Sequence, residues 1–207
     1  MARRILLVEG KDDQHVMWAM LTIHDVPQVF DVRKPEGDGG IEDLLNSLPA
    51  WLKAAELERI ALIVDADEDA QSRWQQIKSR LENAGCTALP DHALPGGAIL
   101  QIQDGPRVGV WMMPDNQLSG MLENFLAFLI PPSDALLPLV DGFLAGMSDS
   151  VRRFPLARMP KARMHSWLAV QEEPGKPLGQ AITARYLNAQ ADVVKPFLTW
   201  LRTALVD

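Results

Sequence analysis

The most apolar strand-like runs of this chain each lead into acidic residues, and that pattern narrows the possible folds sharply. Ile5-Leu6-Leu7-Val8 leads into Glu9-Gly10, and Ile60-Ala61-Leu62-Ile63-Val64 leads into Asp65-Ala66-Asp67. A third run, Val108-Gly109-Val110-Trp111-Met112-Met113, passes through Pro114 towards Glu123. Unbroken apolar runs suit strands buried on both faces, which is the habit of parallel sheets covered by helices. Carboxylates at the C-terminal ends of such strands converge on one edge of the sheet, where open α/β folds bind ligands. Carboxylates crowded together repel one another unless a cation lies between them, so the pattern points to an oxygen-ligated Mg²⁺ or Mn²⁺.

The rest of the chain divides around this frame. Strand and helix patterns alternate over the first 115 residues. The spacing predicts a strand over Arg4–Val8, then a helix over Asp12–Ile23 with Val16, Met17, Met20 and Leu21 on one stripe, then a strand over Val29–Arg33. Gly37-Asp38-Gly39-Gly40 reads as a flexible loop before a helix carrying Leu44, Leu45, Leu48, Trp51 and Leu52. Ile60–Val64 is the third strand, Ala70–Ala84 a polar helix stopped by Gly85, and Cys86–Leu89 a short strand. Gly97–Gln103 and Arg107–Met113 form an antiparallel pair around Asp104-Gly105. A helix is expected over Leu118–Ile130, ended by Pro131-Pro132, and only helices follow. The expected class is α/β, a mostly parallel sheet flanked by helices over residues 1–130, with a helical C-terminal extension over 131–207 packed on it.

Composition excludes several functions. The longest apolar run falls short of the roughly 20 residues of a membrane span, and only four apolar residues follow Arg3-Arg4 before Glu9, too few for a signal-peptide core. The single cysteine, Cys86, rules out an internal disulfide framework and fits a reducing, cytoplasmic setting. A net charge of -7 argues against a protein that coats nucleic acid indiscriminately, though not against a nuclease whose metal ligands are themselves acidic. The charge is uneven. No acid occurs between Ser150 and Gln171, where Arg152, Arg153, Arg158, Lys161, Arg163 and His165 fall, so this strip is either a solvated face or a phosphate-contacting one.

The candidate site follows from the strand ends. Gly10 permits a tight turn after Glu9, Asp12 is placed to cap the following helix, and Asp13 lies one helical turn beyond Glu9. Asp65 and Asp67 alternate at their strand end, so both reach the cleft once the chain bends, with Asp69 a weaker candidate. The plain alternative is a solvated acidic turn at a helix N-terminus, where negative charge is favourable in any case. His15, His24, His92 and His165 lack metal-ligand spacing, and the six tryptophans read as core or interface.

A strand ending in Glu-Gly with a later strand ending in Asp-x-Asp resembles the Toprim domain. Leu7-Val8-Glu9-Gly10-Lys11-Asp12-Asp13 is most similar to its version in the OLD (overcoming lysogenization defect) nucleases, with an acid four residues after the Glu. Pro114–Asn124 and Lys161–Ala169 resemble a stand-alone Toprim-like family of unknown function, which spans nearly the whole chain. The resemblance implies Mg²⁺- or Mn²⁺-dependent phosphodiester chemistry on nucleic acid, DNA ahead of RNA. It assigns metal to Glu9, Asp13, Asp65, Asp67 and Glu123, and catalysis to Glu9 and Lys161, with Arg163 a lesser alternative to the lysine. The sequence has no zinc-finger cysteines, no P-loop, and one tyrosine, Tyr186, in the helical tail. Primase and topoisomerase activities are therefore set aside, and any ATPase is expected on a separate partner.

Three other classes compete. A haloacid dehalogenase phosphatase needs Asp-x-Asp on its first strand, whereas here the motif follows the third. A phosphorylation receiver domain needs Asp-Asp where this chain has Glu9-Gly10. A non-catalytic Toprim-like subunit, binding metal or a partner for regulation, stays open.

Overall fold

The computed structural model describes residues 3–37 and 39–207. Its sheet is built from β1 (Arg3–Val8), β2 (Asp31–Arg33), β3 (Leu57–Asp65), β4 (Ala98–Gln101) and β5 (Arg107–Met113) in the order β2-β1-β3-β5-β4. β1, β2, β3 and β5 run parallel, and β4 pairs antiparallel with β5 at one edge. The helices are α1 (Lys11–Ile23), α2 (Ile41–Leu52), α3 (Ala70–Asn83), α4 (Leu122–Ala127), α5 (Leu136–Ala145), α6 (Met159–Ala169), α7 (Leu178–Thr183) and α8 (Val194–Leu205), with a 3-10 turn at Leu156–Arg158 before α6. The class is the one expected, a mostly parallel α/β sheet flanked by helices. Among the described residues, no helix is long and apolar enough to cross a membrane.

The apolar runs are continuous because both faces of the central strands are covered. Side chains alternate across a strand, so Ile5, Leu7, Ile60, Leu62, Val108 and Val110 pack with Leu44, Leu48, Trp74 and Ile77 of α2 and α3. Leu6, Val8, Ala61, Ile63 and Trp111 point the other way, onto Val16, Met20, Phe125, Phe197 and Leu201. The chain after Pro131 thus supplies part of the cover of this second face, within one continuous core. α8 lies across it, with Trp111 edge-on to Phe197 at 5.3 Å and the Trp200 Nε1–H donating to the Ala98 carbonyl at 3.1 Å. Arg4 donates to the Leu205 and Val206 carbonyls and Arg107 to that of Thr203, placing cations at the negative end of α8.

Four local expectations differ from the structure. The Val29–Arg33 strand is confined to Asp31–Arg33, because the Val29 N–H turns back to the Pro27 carbonyl. Cys86–Leu89 forms only one bridge, Cys86 to Ile102. The Leu118–Ile130 helix begins at Leu122: the Asp115 carboxylate accepts the Gln117 and Leu118 N–H groups and folds that stretch into a turn. Asp12 caps nothing, since Gly10 holds the N-cap position and Asp12 sits within the first turn of α1.

Gly109 marks a close approach of α8 to the sheet: a Cβ there would stand 2.8 Å from the Ala204 Cβ. Neither atom can swing away, so Gly109→Val forces the helix off the sheet. The expected loss is about 1–3 kcal/mol, read in chemical denaturation.

Candidate metal centre

The strand connections decide where the site lies. After β1 the chain crosses to α1 on one face of the sheet. After β3, the neighbour of β1, it crosses to α3 on the opposite face. Connections that part in this way leave a crevice beyond the strand ends, the usual ligand position in open α/β sheets. Glu9 and Asp65 both fall there, since Val8 pairs with Ile63 in the β1–β3 ladder. The resulting cleft has a volume of about 1000 Å³.

Glu9, Asp13, Asp65, Asp67 and Glu123 all line this cleft, with Lys161 and Arg158 among the residues facing it. The Glu9 Oε1 accepts the Asp65 backbone N–H at 2.7 Å, and the Asp65 Oδ1 accepts the Leu122 N–H at 2.9 Å. These two bonds tie β1, β3 and the start of α4 together at the floor. Behind Glu9, the Gly40 N–H reaches its carbonyl at 2.9 Å, and a Cβ on Gly39 would lie 2.8 Å from that oxygen. Gly39 and Gly40 are therefore held against the site, while Asp38 of the expected loop lies outside the described residues, and position 39, at φ +85°, tolerates little besides glycine. Asp67 takes a left-handed conformation (φ 54°) that aspartate accepts more readily than most residues, and its N–H bonds to the Gly120 carbonyl at 2.7 Å.

Burial sets the electrostatics. It pushes the Glu9 carboxyl up to about 7, with Asp13 and Asp67 adding repulsion against the opposing Asp65 N–H and Arg73. Asp13 rises to about 6, again chiefly through burial, with Glu123 a contributing charge. Asp65 is raised well above the carboxylate range by burial, and then by Glu9, Asp13 and Glu123.

Two cations already answer part of this negative charge. The buried Arg73, in the second turn of α3, donates Nε–H to the Asp65 carbonyl at 2.9 Å and Nη1–H to Gln76 Oε1 at 2.8 Å, and its Nη2 pairs with the Asp67 carboxylate. Lys161 Nζ stands 3.5 Å from Oε1 of the buried Glu123. Among the described residues, no group of three or more His, Cys, Asp or Glu side chains is gathered tightly enough to hold an ion. The donor set itself, all carboxylate oxygen, is of the type that suits a hard divalent cation, which would have to displace the protons that burial favours.

The structure thus brings Glu9, Asp13, Asp65, Asp67, Glu123 and Lys161 to one cleft while pairing two of the acids with bases. Asp69 is spent as the N-cap of α3, its carboxylate accepting the Ser72 N–H and Oγ–H. Arg163, the alternative to Lys161, is held by Asp141 through bonds of 2.6 and 2.9 Å. The basic strip therefore splits. Arg158 and Lys161 face the cleft, and Arg152 pairs with Asp149. Arg73 escaped the sequence reading, although a signal was present: a cation near a helix N-terminus opposes the helix dipole unless acids hold it.

The acid-lined cleft lies where the connections of a mostly parallel sheet diverge, the position at which open α/β proteins usually bind ligands. The chain belongs to the DUF3226 family, described as a protein of unknown function, whose model matches residues 3–206. Neither the curated proteins nor the solved structures contain a match to it.

The raised carboxyls predict how stability varies with pH. Their protonated forms are favoured by folding, so their contribution is full below the ordinary carboxylate range and is lost as pH rises through the folded values of about 6 and about 7. Without divalent ions, the thermal midpoint should fall between pH 5 and pH 8. Glu9→Gln should flatten that fall, as read by calorimetry across the range.

Proposed function

We propose that this protein is a metal-dependent phosphodiesterase acting on nucleic acid, a nuclease of the OLD-type Toprim kind. The observation that carries this reading is the convergence of Glu9, Asp13, Asp65, Asp67 and Glu123 from separate elements on one cleft faced by Lys161 and Arg158. Asp65, Asp67, Glu9, Asp13 and Glu123 would hold Mg²⁺ or Mn²⁺, after Asp67 leaves Arg73 and Glu123 leaves Lys161. A divalent ion so held supplies Lewis acidity and lowers the pKa of a bound water.

The chain's own groups do the rest. Glu9, where it is not itself a ligand, lines the cleft in position to accept a proton from an attacking water. The water oxygen bonds to phosphorus, the bond to the leaving sugar oxygen breaks, and that oxygen departs with a proton from solvent. Lys161, freed from Glu123, donates to a non-bridging phosphate oxygen where charge builds up. Arg158 stands on the same side of the cleft to hold the neighbouring backbone.

The pairs Arg73–Asp67 and Lys161–Glu123 favour a second reading, because they offset the acids without any ion. On that view the cleft is a metal- or partner-responsive regulatory site without catalysis.

Plasmid, linear DNA and RNA incubated with the protein in Mg²⁺ or Mn²⁺ separate the two. The nuclease reading expects cleavage by the native chain, lost in Asp65→Asn. It expects a fall of about 10²–10³-fold in Lys161→Ala, with calorimetric Mn²⁺ binding retained in the lysine variant. Tight Mn²⁺ binding with no cleavage of any substrate establishes the regulatory reading instead.

A further inference from the structure

Beside the cleft, between α4 and α6, lies a smaller recess of about 170 Å³. Ala127, Ile130, Met159 and Met164 make its apolar wall, and it shares Glu123 and Asn124 with the cleft, so the two spaces adjoin. We propose that this recess receives a single unpaired nucleobase of the strand bound in the cleft. The inference rests on the nucleic-acid reading of that cleft.

The chemistry of a nucleotide leads to the recess. A phosphate beside Lys161 brings its own sugar and base within one nucleotide's reach of Glu123, which stands 3.5 Å from the lysine. The cleft floor is a poor surface for an aromatic ring, because Glu9, Asp13 and Asp65 are crowded there. The recess offers the opposite surface, with methionine and aliphatic groups that can lie against the faces of a flat ring. Thioether side chains are polarisable and adapt their shape, so two methionines accept different bases without demanding one.

The polar groups at the recess fit the same occupant. Asn124 lines the recess as well, its Oδ1 accepting the Met121 N–H at 3.0 Å, and an amide held through its oxygen keeps N–H donors of the kind that pair with the oxygen and ring-nitrogen acceptors of a base edge. Arg163 lines the recess too, with its Nε and Nη2 donating to the Asp141 carboxylate, which offsets its charge. A space of about 170 Å³ admits one base and not a base pair. The favoured substrate is therefore single-stranded or locally unpaired at the reacting nucleotide, as for other enzymes that take a base into a pocket.

The test measures binding, so that it does not depend on cleavage. Fluorescent single-stranded DNA of about 12 nucleotides is titrated in Ca²⁺, intact or carrying one abasic site stepped along its length. The expected result is a loss of about tenfold in affinity, the scale of one base contact, confined to one or two adjacent abasic positions. Ala127→Phe, which fills the recess, should bind the intact strand about tenfold more weakly and respond equally to every abasic position. Ala127→Leu should fall between. If the filled variant fails to fold, the abasic scan on the native chain decides alone. Equal losses at all positions, or a folded Ala127→Phe that binds like the native chain, overturn the recess while leaving the nucleic-acid reading intact. Absence of binding to any strand overturns both.

Discussion

The parallel pairing of β1 with β3 places two carboxylate-bearing strand ends side by side, and most of the site's behaviour follows from that enforced proximity. The strands are sealed on both faces, so their ends cannot drift apart without opening the core. Glu9 and Asp65 are consequently held together by a backbone-to-carboxylate hydrogen bond in a region where ionisation is unfavourable. The energy to hold them there comes from the apolar layers above and below, not from the site.

Packing also explains why the helical C-terminal extension and the cleft form one unit. α8 covers the second face of the sheet and is drawn tight over Gly109, while α6 delivers Lys161 to the cleft. Pro160 falls at the start of α6, and its missing N–H is no loss in the first turn, so the lysine stands on a firm base. One segment therefore completes the core and supplies the cation facing the acids, which couples the integrity of the fold to the charge balance of the cleft.

That balance is the distinctive chemical property of the site. Arg73 and Lys161 occupy two acids, and burial leaves the others inclined to hold protons. On the metal-binding reading, a divalent ion entering the cleft would compete with protons and with two internal bases at once, so its binding would be coupled to pH and to side-chain rearrangement. On the nuclease reading, Lys161 gains a phosphate when it loses Glu123, which links substrate and metal through a single side chain.

Periodicity and motif spacing were sufficient for the α/β class, the strands β1, β3 and β5, the late hairpin and the acidic strand ends. These features are local: an apolar run buried on both faces, a glycine after Glu9 and alternating acids after Val64 are visible without any partner. Where local side-chain bonding competed with periodicity the reading failed, as when Asp115 captured two backbone N–H groups and delayed α4 to Leu122. Charge pairing was not legible either. Nothing in the order of residues shows that Arg73 turns back to Asp65 and Asp67, that Arg163 is claimed by Asp141 while Lys161 is not, or that α4 and α6 leave a recess between them. Those outcomes depend on how elements distant in sequence pack. Coulomb and burial energies act through space, and only the folded chain settles which charges become neighbours.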